Sequence, residues 1–316
     1  MSDLSPVPPA PHAFAEPPAR SPLDLRHWPW STTLLRGAIV VLLVRWLAAR
    51  ALPAPSLPVV AAWAWGAFSL LLAARWLARL PDGAARAKRA REAGRAWPSR
   101  LALVLVPAEW LGLLRWIGLT AAAGLAAFAR RPMPARPEGR RLEDRRKGFY
   151  DAFFAMNVVS FGPEVLVSSL ILSSVANGPG LHVAVHGLEL ALIVGLVGDR
   201  RLVHAGGHVL TPTHLDLRAG ARASARIPLA AIAAIEPLGK TRPEAWRRAH
   251  GVHRADTGTV SAMDRPNVVI TMHAGTAGTW SRWQVERPLP RHLFVYLDDP
   301  AALGPAVDEA LASAAR

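Results

Sequence analysis

The sequence predicts a membrane-embedded α-helical domain of four or five spans that carries a C-terminal all-β domain, a small barrel capped by one helix. Several apolar segments in the first two thirds of the chain are longer than the helices of a soluble core need to be. From His208 onwards the pattern changes to short runs in which apolar and polar residues alternate. The mean hydropathy of +0.20, with 51% hydrophobic residues, agrees with a polytopic membrane protein.

The basic composition points to a membrane rather than to nucleic acid. The chain carries a net charge of +14, but its Lys and Arg residues flank the apolar segments, as the positive-inside rule describes. No DNA-reading or RNA-reading motif accompanies the charge, so no nucleic-acid partner is expected. The absence of cysteine excludes disulfides, thiol catalysis and Cys-ligated zinc, and fits soluble parts that face a reducing cytoplasm.

Motifs for known chemistry are missing from the sequence. There is no Walker sequence, no GxGxxG and no GxSxG, so nucleotide-driven transport and serine hydrolysis have no residues to support them. No cofactor is therefore expected, and an enzymatic function is left without a catalytic motif.

Three regions follow from the changes in composition. Residues 1–32 are rich in Pro and Ala and predict a disordered tail. Residues 33–201 hold the long apolar segments and predict the transmembrane domain, and residues 202–316 predict a cytoplasmic β domain. The first residues lack the apolar stretch of a signal peptide, so a cleaved leader is not expected.

The first two apolar segments predict a hairpin. Residues 34–52 are long enough to span, yet they include Arg36, Arg45 and Arg50. They predict either a tilted or bundle-buried helix whose arginines snorkel, or an interfacial helix. Residues 59–80 return across the bilayer, and the basic residues 81–100 predict a cytoplasmic loop.

For residues 101–129, the positive-inside rule and the length needed for a span predict different topologies. Residues 101–129 lie between two basic stretches, and a single crossing would put those stretches on opposite sides of the membrane. The segment is also too short for two full spans. Either it is a re-entrant or oblique helix pair broken at Pro107, or it crosses once and residues 86–100 lie outside.

Two further spans lead into the β domain. Residues 153–176 predict a helix interrupted at Gly162 and Pro163, and the sequence NGPG at 177–180 predicts a tight external turn. Residues 181–198 then return and end at a basic cap, Arg200 and Arg201, which predicts that everything downstream is cytoplasmic.

The remaining residues predict about seven strands and one helix. Strand patterns occupy residues 208–220, 225–238, 267–272, 280–289 and 292–298. Asp299 and Pro300 then start a helix with Leu303, Val307 and Leu311 on one face. Residues 240–265 lack alternation and predict an insertion loop.

This order of elements, with the sequences HVLTPTHLDLRAG, IPLAAIAAI, PNVVITM and FVYLDDP, resembles the bacterial pleckstrin-homology-like domains attached to membrane helices. Residues 101–316 are similar to a group of uncharacterised bacterial integral membrane proteins that share the loop motif carried here by Arg130, Arg131 and Pro132. The resemblance implies a pleckstrin-like barrel and location in the bacterial inner membrane. Members carry a Glu followed one turn later by His; here Ser168 follows Glu164, so no metal or catalytic role is carried over.

Ionisable residues inside the apolar segments are the main site candidates, because they are costly in a bilayer. His182, His186 and Glu189 fall on one helical face, and Glu164 on the adjoining span could approach them. The alternatives are a metal or proton site and simple polar pairing between helices. Glu109, Arg115 and Glu164, with Arg45, predict either interhelical salt bridges or a polar pathway for an ion or lipid headgroup.

Basic residues of the β domain form the second group of candidates. Lys240, Arg242, Arg247 and Arg248 could contact an anionic inner leaflet. The sequence thus supports two hypotheses. The first is a membrane-anchored binding or scaffold module whose partners are the bilayer and either anionic lipid headgroups or a protein. The second is a small transporter or intramembrane metal-dependent enzyme that uses Glu164, His186 and Glu189.

Overall fold

The computed structural model describes residues 30–92, 94, 96–133, 138–142, 148–175, 179–276 and 278–314. The chain divides between Pro107 and Ala108 into two compact units. Nearly all of the predicted disordered tail lies outside the described residues, as does the first half of the predicted turn at 177–180.

The first unit is helical. Its elements are α1 (Trp30–Ala51), a short 3-10 turn (Ala54–Ser56), α2 (Leu57–Ala78), α3 (Leu80–Glu92) and α4 (Trp97–Leu105). Helices α1 and α2 form the predicted hairpin and approach closely at Gly37, where an added Cβ would lie 2.0 Å from the ring of Phe68. Arg75 of α2 is fully buried, and its guanidinium lies 4.1 Å from the ring centre of Trp30.

The basic stretch 81–100 is largely helical, so its prediction as a loop is wrong in conformation. Most of its residues are Ala, Arg, Lys and Glu, which are good helix formers, and Asp82 lies in the first turn of α3. The side chain of Arg86 in α3 donates to the carbonyl of Leu103 in α4 at 3.0 Å. The indole of Trp76 donates to Leu105 O at 2.7 Å.

Four helical segments of the described chain are long and apolar enough to cross a bilayer: Ala54–Ala78, Ala108–Phe128, Tyr150–Ser174 and Pro179–Ala205. Helix α1, which carries three arginines, is not among them. Many Leu, Ile and Val side chains of these helices are exposed, which is expected where lipid rather than water is the solvent. The prediction of four or five spans is thus confirmed in part, because four helices of the described chain are capable of crossing a membrane.

The second unit begins with α5 (Ala108–Phe128), α6 (Tyr150–Val175) and α7 (Pro179–Ala205). Helix α6 runs without interruption through Pro163, so the predicted break at Gly162 and Pro163 is wrong. Proline removes one backbone donor, but the rest of a long apolar helix keeps its hydrogen bonds, and such prolines are tolerated in membrane helices.

Small residues allow α5 and α7 to approach each other closely. A Cβ added at Gly198 of α7 would lie 1.7 Å from the carbonyl oxygen of Thr120, and one added at Gly124 of α5 would lie 2.0 Å from Val194 O. Larger side chains at either glycine would force the backbones apart. Arg201 of α7 also donates to the carbonyl of Ala123 at 3.3 Å.

The rest of the second unit is a β domain with two sheets. The six-stranded sheet has the order β1-β2-β3-β4-β8-β9 and the four-stranded sheet the order β5-β7-β10-β6. The strands are β1 (Arg140–Leu142), β2 (His208–Leu210), β3 (His214–Ala219), β4 (Ala223–Pro228), β5 (Ile232–Pro237), β6 (Thr257–Val260), β7 (Val268–Met272), β8 (Thr279–Arg282), β9 (Val285–Pro288) and β10 (His292–Val295).

The predicted closed barrel is wrong, because the two sheets do not join into one ring. Strand β9 ends at Pro288 and is followed by Pro290, and β5 ends at Pro237. Proline withholds the backbone donor that further pairing needs, so these prolines favour sheet edges. The core between the sheets contains fully buried Leu and Ile side chains, among them Leu215 and Ile270.

Strand β1 comes from the loop between α5 and α6, not from the C-terminal region. It pairs antiparallel with β2, with Arg140 opposite Leu210 and Leu142 opposite His208. Arg140 also forms a 3.1 Å ion pair with Glu309 of the C-terminal helix. The α5–α6 connection and the β domain therefore lie on the same side of any membrane that α6 and α7 cross.

The C-terminal helix agrees with its prediction. The side chain of Asp299 accepts a hydrogen bond from Ala301 N, and a short turn at Pro300–Ala302 leads into α9 (Leu303–Ala314). Leu303 and Val307 are buried in the core.

The prediction of an insertion loop at 240–265 is wrong, because this segment contains α8 (Pro243–Ala249) and β6. The side chain of Trp246 is buried against Phe294 and Val269 and holds α8 on the sheet.

Candidate functional site

Three polar residues, two of them buried and one partly buried, connect the membrane-capable helices α6 and α7 to the β domain. Asp199 near the end of α7 accepts a 2.7 Å hydrogen bond from the hydroxyl of Tyr150 at the start of α6. It also accepts from the Arg222 guanidinium in the β3–β4 turn, at 2.7 and 3.3 Å. Asp199 and Tyr150 are 2% and 3% exposed, so this group, named here the polar junction, is shielded from water.

Backbone contacts reinforce the polar junction. Asp264, which precedes β7, accepts a hydrogen bond from the backbone N–H of Phe149, just before α6. A Cβ added at Gly148 would meet the carboxylate of Asp264 at 2.8 Å. A small cleft beside these groups is lined by Tyr150, Val203, His208, Ser261, Asp264 and Tyr296.

Helix α5 contacts the turn between β8 and β9. The rings of Trp116 and Trp283 lie 5.4 Å apart in an edge-to-face arrangement. A Cβ added at Gly112 would lie 2.2 Å from Trp283 O, so the absence of a side chain at Gly112 permits this approach. The turn itself is tight, since Trp283 and Gln284 have φ values of 51° and 59°.

The strand registers identify further residues at the helix-facing end of the β domain, the end that carries Arg222 and Asp264. Val268 begins β7 only a few residues after Asp264, and it pairs with Pro237 at the end of β5. Lys240 lies three residues after the end of β5, and the guanidinium of Arg265 donates to the carbonyl of Lys240. Lys240 and Arg265, both exposed, therefore lie at this end.

Exposed apolar residues share the helix-facing end with these basic groups. Outside the helices, Met263 and Trp283 are the large hydrophobic residues of the described β domain that stay exposed, at 42% and 40%. Met263 precedes Asp264, and Trp283 forms the β8–β9 turn. Beside that turn, burial and then the charges of Arg287 and Arg254 lower the pKa of Arg282, which indicates crowded positive charge.

The four sequence-predicted lipid contacts lie on and before α8. Lys240, Arg242 and Arg248 are exposed, and Arg247 is partly buried. Helix α8 leads away from the helix-facing end. Its Trp246 contacts His250, which follows the helix, and also His292. His292 lies at the other end of the sheet from Val268, because it pairs with Thr271. Lys240 and Arg242 are thus closer to the helices than Arg248.

The predicted intramembrane candidates fall into one cluster and several separate residues. His186 Nδ1 lies 2.7 Å from Glu189 Oε2 on α7. From α6, the hydroxyl of Ser168 donates to Glu189 Oε1 at 2.6 Å, and Ser169 Oγ lies 3.4 Å from His186 Nε2. The ring of His182 is 6.2 Å from that of His186. The sequence pattern predicted the His and Glu as candidates. It brought out Ser168 only as the residue in place of a His in the similar proteins, and it gave no signal for Ser169.

The other candidates do not join this cluster. Glu164 and Arg115 are exposed on α6 and α5, and Glu109 is partly exposed in the first turn of α5. No hydrogen bond or ion pair connects Glu164 to His186. Across the described part of the chain, no group of three His, Asp or Glu side chains is arranged to hold a metal ion.

Comparison of the chain with protein-family models, with curated proteins and with solved structures finds no match.

Proposed function

We propose that this protein is a membrane-anchored binding module that holds a pleckstrin-like domain against the inner leaflet of the bacterial cytoplasmic membrane, where the domain binds anionic lipid headgroups. The polar junction carries this proposal. Its three residues fix the β domain on the ends of α6 and α7, and so one particular end of the domain faces the headgroup layer.

The composition of that end supports lipid headgroups as the ligand. Met263 and Trp283 are exposed where apolar side chains would enter the interface. Lys240, Arg242 and Arg265 are exposed nearby, and each basic residue close to an anionic surface contributes about 1 kcal/mol, a factor of about five in affinity. Because the domain is tethered to the membrane, weak contacts gain from a high effective concentration.

The cytoplasmic side follows from charge. Arg200 and Arg201 lie at the β-domain end of α7, and Arg130, Arg131, Arg140 and Arg141 belong to the connection that supplies β1. Basic residues next to membrane helices are retained on the cytoplasmic side. Both connections therefore favour a cytoplasmic β domain.

Native mass spectrometry of the full-length protein tests the proposal. The protein is purified in a neutral detergent and mixed with equal amounts of phosphatidylglycerol and phosphatidylcholine, and the ratio of bound anionic to bound neutral lipid is measured. The double variant Lys240→Glu and Arg242→Glu should lower that ratio at least several-fold.

The matched control is the double variant Arg247→Glu and Arg248→Glu. It changes the net charge by the same amount, at positions in the last turn of α8, which leads away from the helix-facing end. It should leave the lipid ratio close to that of the unaltered protein. Equal ratios in the two double variants would contradict lipid binding at this end of the domain.

A further inference from the structure

The cluster on α6 and α7 lies far from the β domain along both helices. At the β-domain end, His204 of α7 contacts Asp151 of α6 at 2.9 Å. Ser168 and Glu189 lie about 23 to 26 Å away along α6 and α7, at 1.5 Å per residue. The hydrocarbon core of a bilayer is about 30 Å thick, so the cluster lies near the opposite face of the membrane.

The hydrogen bonds of the cluster are arranged so that it can hold a proton. Nδ1 of His186 faces one carboxylate oxygen of Glu189 at 2.7 Å, while the Ser168 hydroxyl holds the other oxygen at 2.6 Å. The hydroxyl of Ser169 donates to Val165 O at 2.7 Å, which leaves its oxygen free to accept from Nε2. A ring with both nitrogens protonated would have an acceptor at each.

Net charge favours the same state. A carboxylate and a neutral imidazole together carry one negative charge, which is costly in apolar surroundings. One added proton, shared between Nδ1 and Oε2, makes the pair neutral overall. The surroundings of the pair are apolar. Leu188, Leu190 and Leu192 of α7 form an exposed apolar surface beside it, each 62 to 63% exposed on the described helices.

We propose that His186 and Glu189, held by Ser168 and Ser169, form a proton-binding site that exchanges with the compartment opposite the β domain. The side chain of His186 is 37% exposed and that of Glu189 17% exposed, so protons reach the pair through the imidazole. The other titratable groups on the two helices that form the cluster are His182 on α7 and Glu164 on α6. Glu109 and Arg115 of α5 lie within one turn of Gly112, which contacts the β8–β9 turn, and so belong to the β-domain end. Of these, His182 is the neighbour on the same helix and offers an internal comparison.

Diethyl pyrocarbonate tests the site, because it modifies neutral imidazole and spares the protonated ring. The full-length protein in detergent at pH 7.5 is treated with the reagent, and peptide mass spectrometry gives the modification rate at each histidine. We expect His186 to react several-fold more slowly than His182. In Glu189→Gln, whose folding is checked by size-exclusion chromatography, the two rates should become similar.

Further arms separate the alternatives. Ser168→Ala keeps the carboxylate but removes one of its donors, which leaves it a stronger proton acceptor. His186 should therefore react no faster in this variant than in the unaltered protein. Slow modification that persists in Glu189→Gln would show steric shielding and overturn the proposal. Protection that disappears after treatment with a chelator would show a bound metal ion, and it would overturn the proposal equally.

Discussion

The carboxylate of Asp199 and the guanidinium of Arg222 lie 2.7 Å apart, although one belongs to a membrane-capable helix and the other to a β turn. Their side chains are 3% and 17% exposed. Removal of one partner from a buried ion pair leaves an unpaired charge or donor, which typically costs about 3 to 5 kcal/mol. This contact is therefore expected to determine whether the β domain stays on the helices.

Asp199→Asn should lower the free energy of unfolding and expose the β domain to protease. The amide keeps the shape of the side chain but lacks the negative charge to which Arg222 and Tyr150 donate their hydrogen bonds. Limited trypsin digestion and thermal unfolding of the purified protein measure the effect. Asp151→Asn is the control, because Asp151 forms partly exposed ion pairs with Arg200 and His204, for which about 1 kcal/mol or less is expected.

Gly198→Ala should destabilise the protein through the contact between α5 and α7. A Cβ at Gly198 would lie 1.7 Å from Thr120 O, whereas one at Gly195 on the same helix would meet nothing within 4 Å. Gly195→Ala should instead be neutral or slightly stabilising, because Ala is the better helix former by about 1 kcal/mol. Thermal unfolding of both variants in one detergent compares them; equal midpoints would show that the helices do not pack at Gly198.

The stability of the β domain should fall as the pH drops from about 6.5 towards 4. Burial, and next the charge of Arg291, lower the pKa of His292 from 6.5 to about 4. Between these values the unfolded chain binds a proton that the folded chain does not, so the free energy of unfolding decreases with decreasing pH. His292→Gln should weaken this pH dependence, and His273→Gln, at an exposed position, should leave it unchanged; the readout is thermal unfolding across the pH range.

Single cysteines should report one side for β1 and α9 and the other side for the end of α6. The chain has no native cysteine, so Arg140→Cys, Asp308→Cys and Ser174→Cys can each be labelled with a membrane-impermeant maleimide. Residues 140 and 308 belong to one folded domain, whereas Ser174 lies about 35 Å along α6 from its start. Labelling of residues 140 and 308 from opposite sides would contradict the pairing of β1 with β2.

The sequence predicted the elements whose pattern is local. Long apolar segments were sufficient to predict the helices α2, α5, α6 and α7. An apolar run of this length is unfavourable in water whatever residues surround it. Alternation predicted β7 and β10, and the Asp299 and Pro300 signal predicted the start of the last helix. Proximity along one helix also brought out His186 and Glu189, which are three residues apart on α7.

Sequence patterns failed where the outcome depends on pairing between distant segments. The basic loop gave no strand signal, yet Arg140–Leu142 becomes β1 because the edge of β2 offers it hydrogen bonds. Closure of the sheets depends on which strands end at an edge, and the predicted barrel was therefore wrong. Ser168 and Ser169 acquire their roles only through contact with α7.

By itself, the sequence determined that this chain has membrane-capable helices followed by a β domain, because each side chain has its own preference for water or for an apolar environment. Only the tertiary structure decided that Tyr150, Asp199 and Arg222 meet in one largely buried group. A single Asp near the end of a helix carries no signal of its distant partners. The partnership arises because a charge shielded from water requires donors from whichever segment the fold brings within reach.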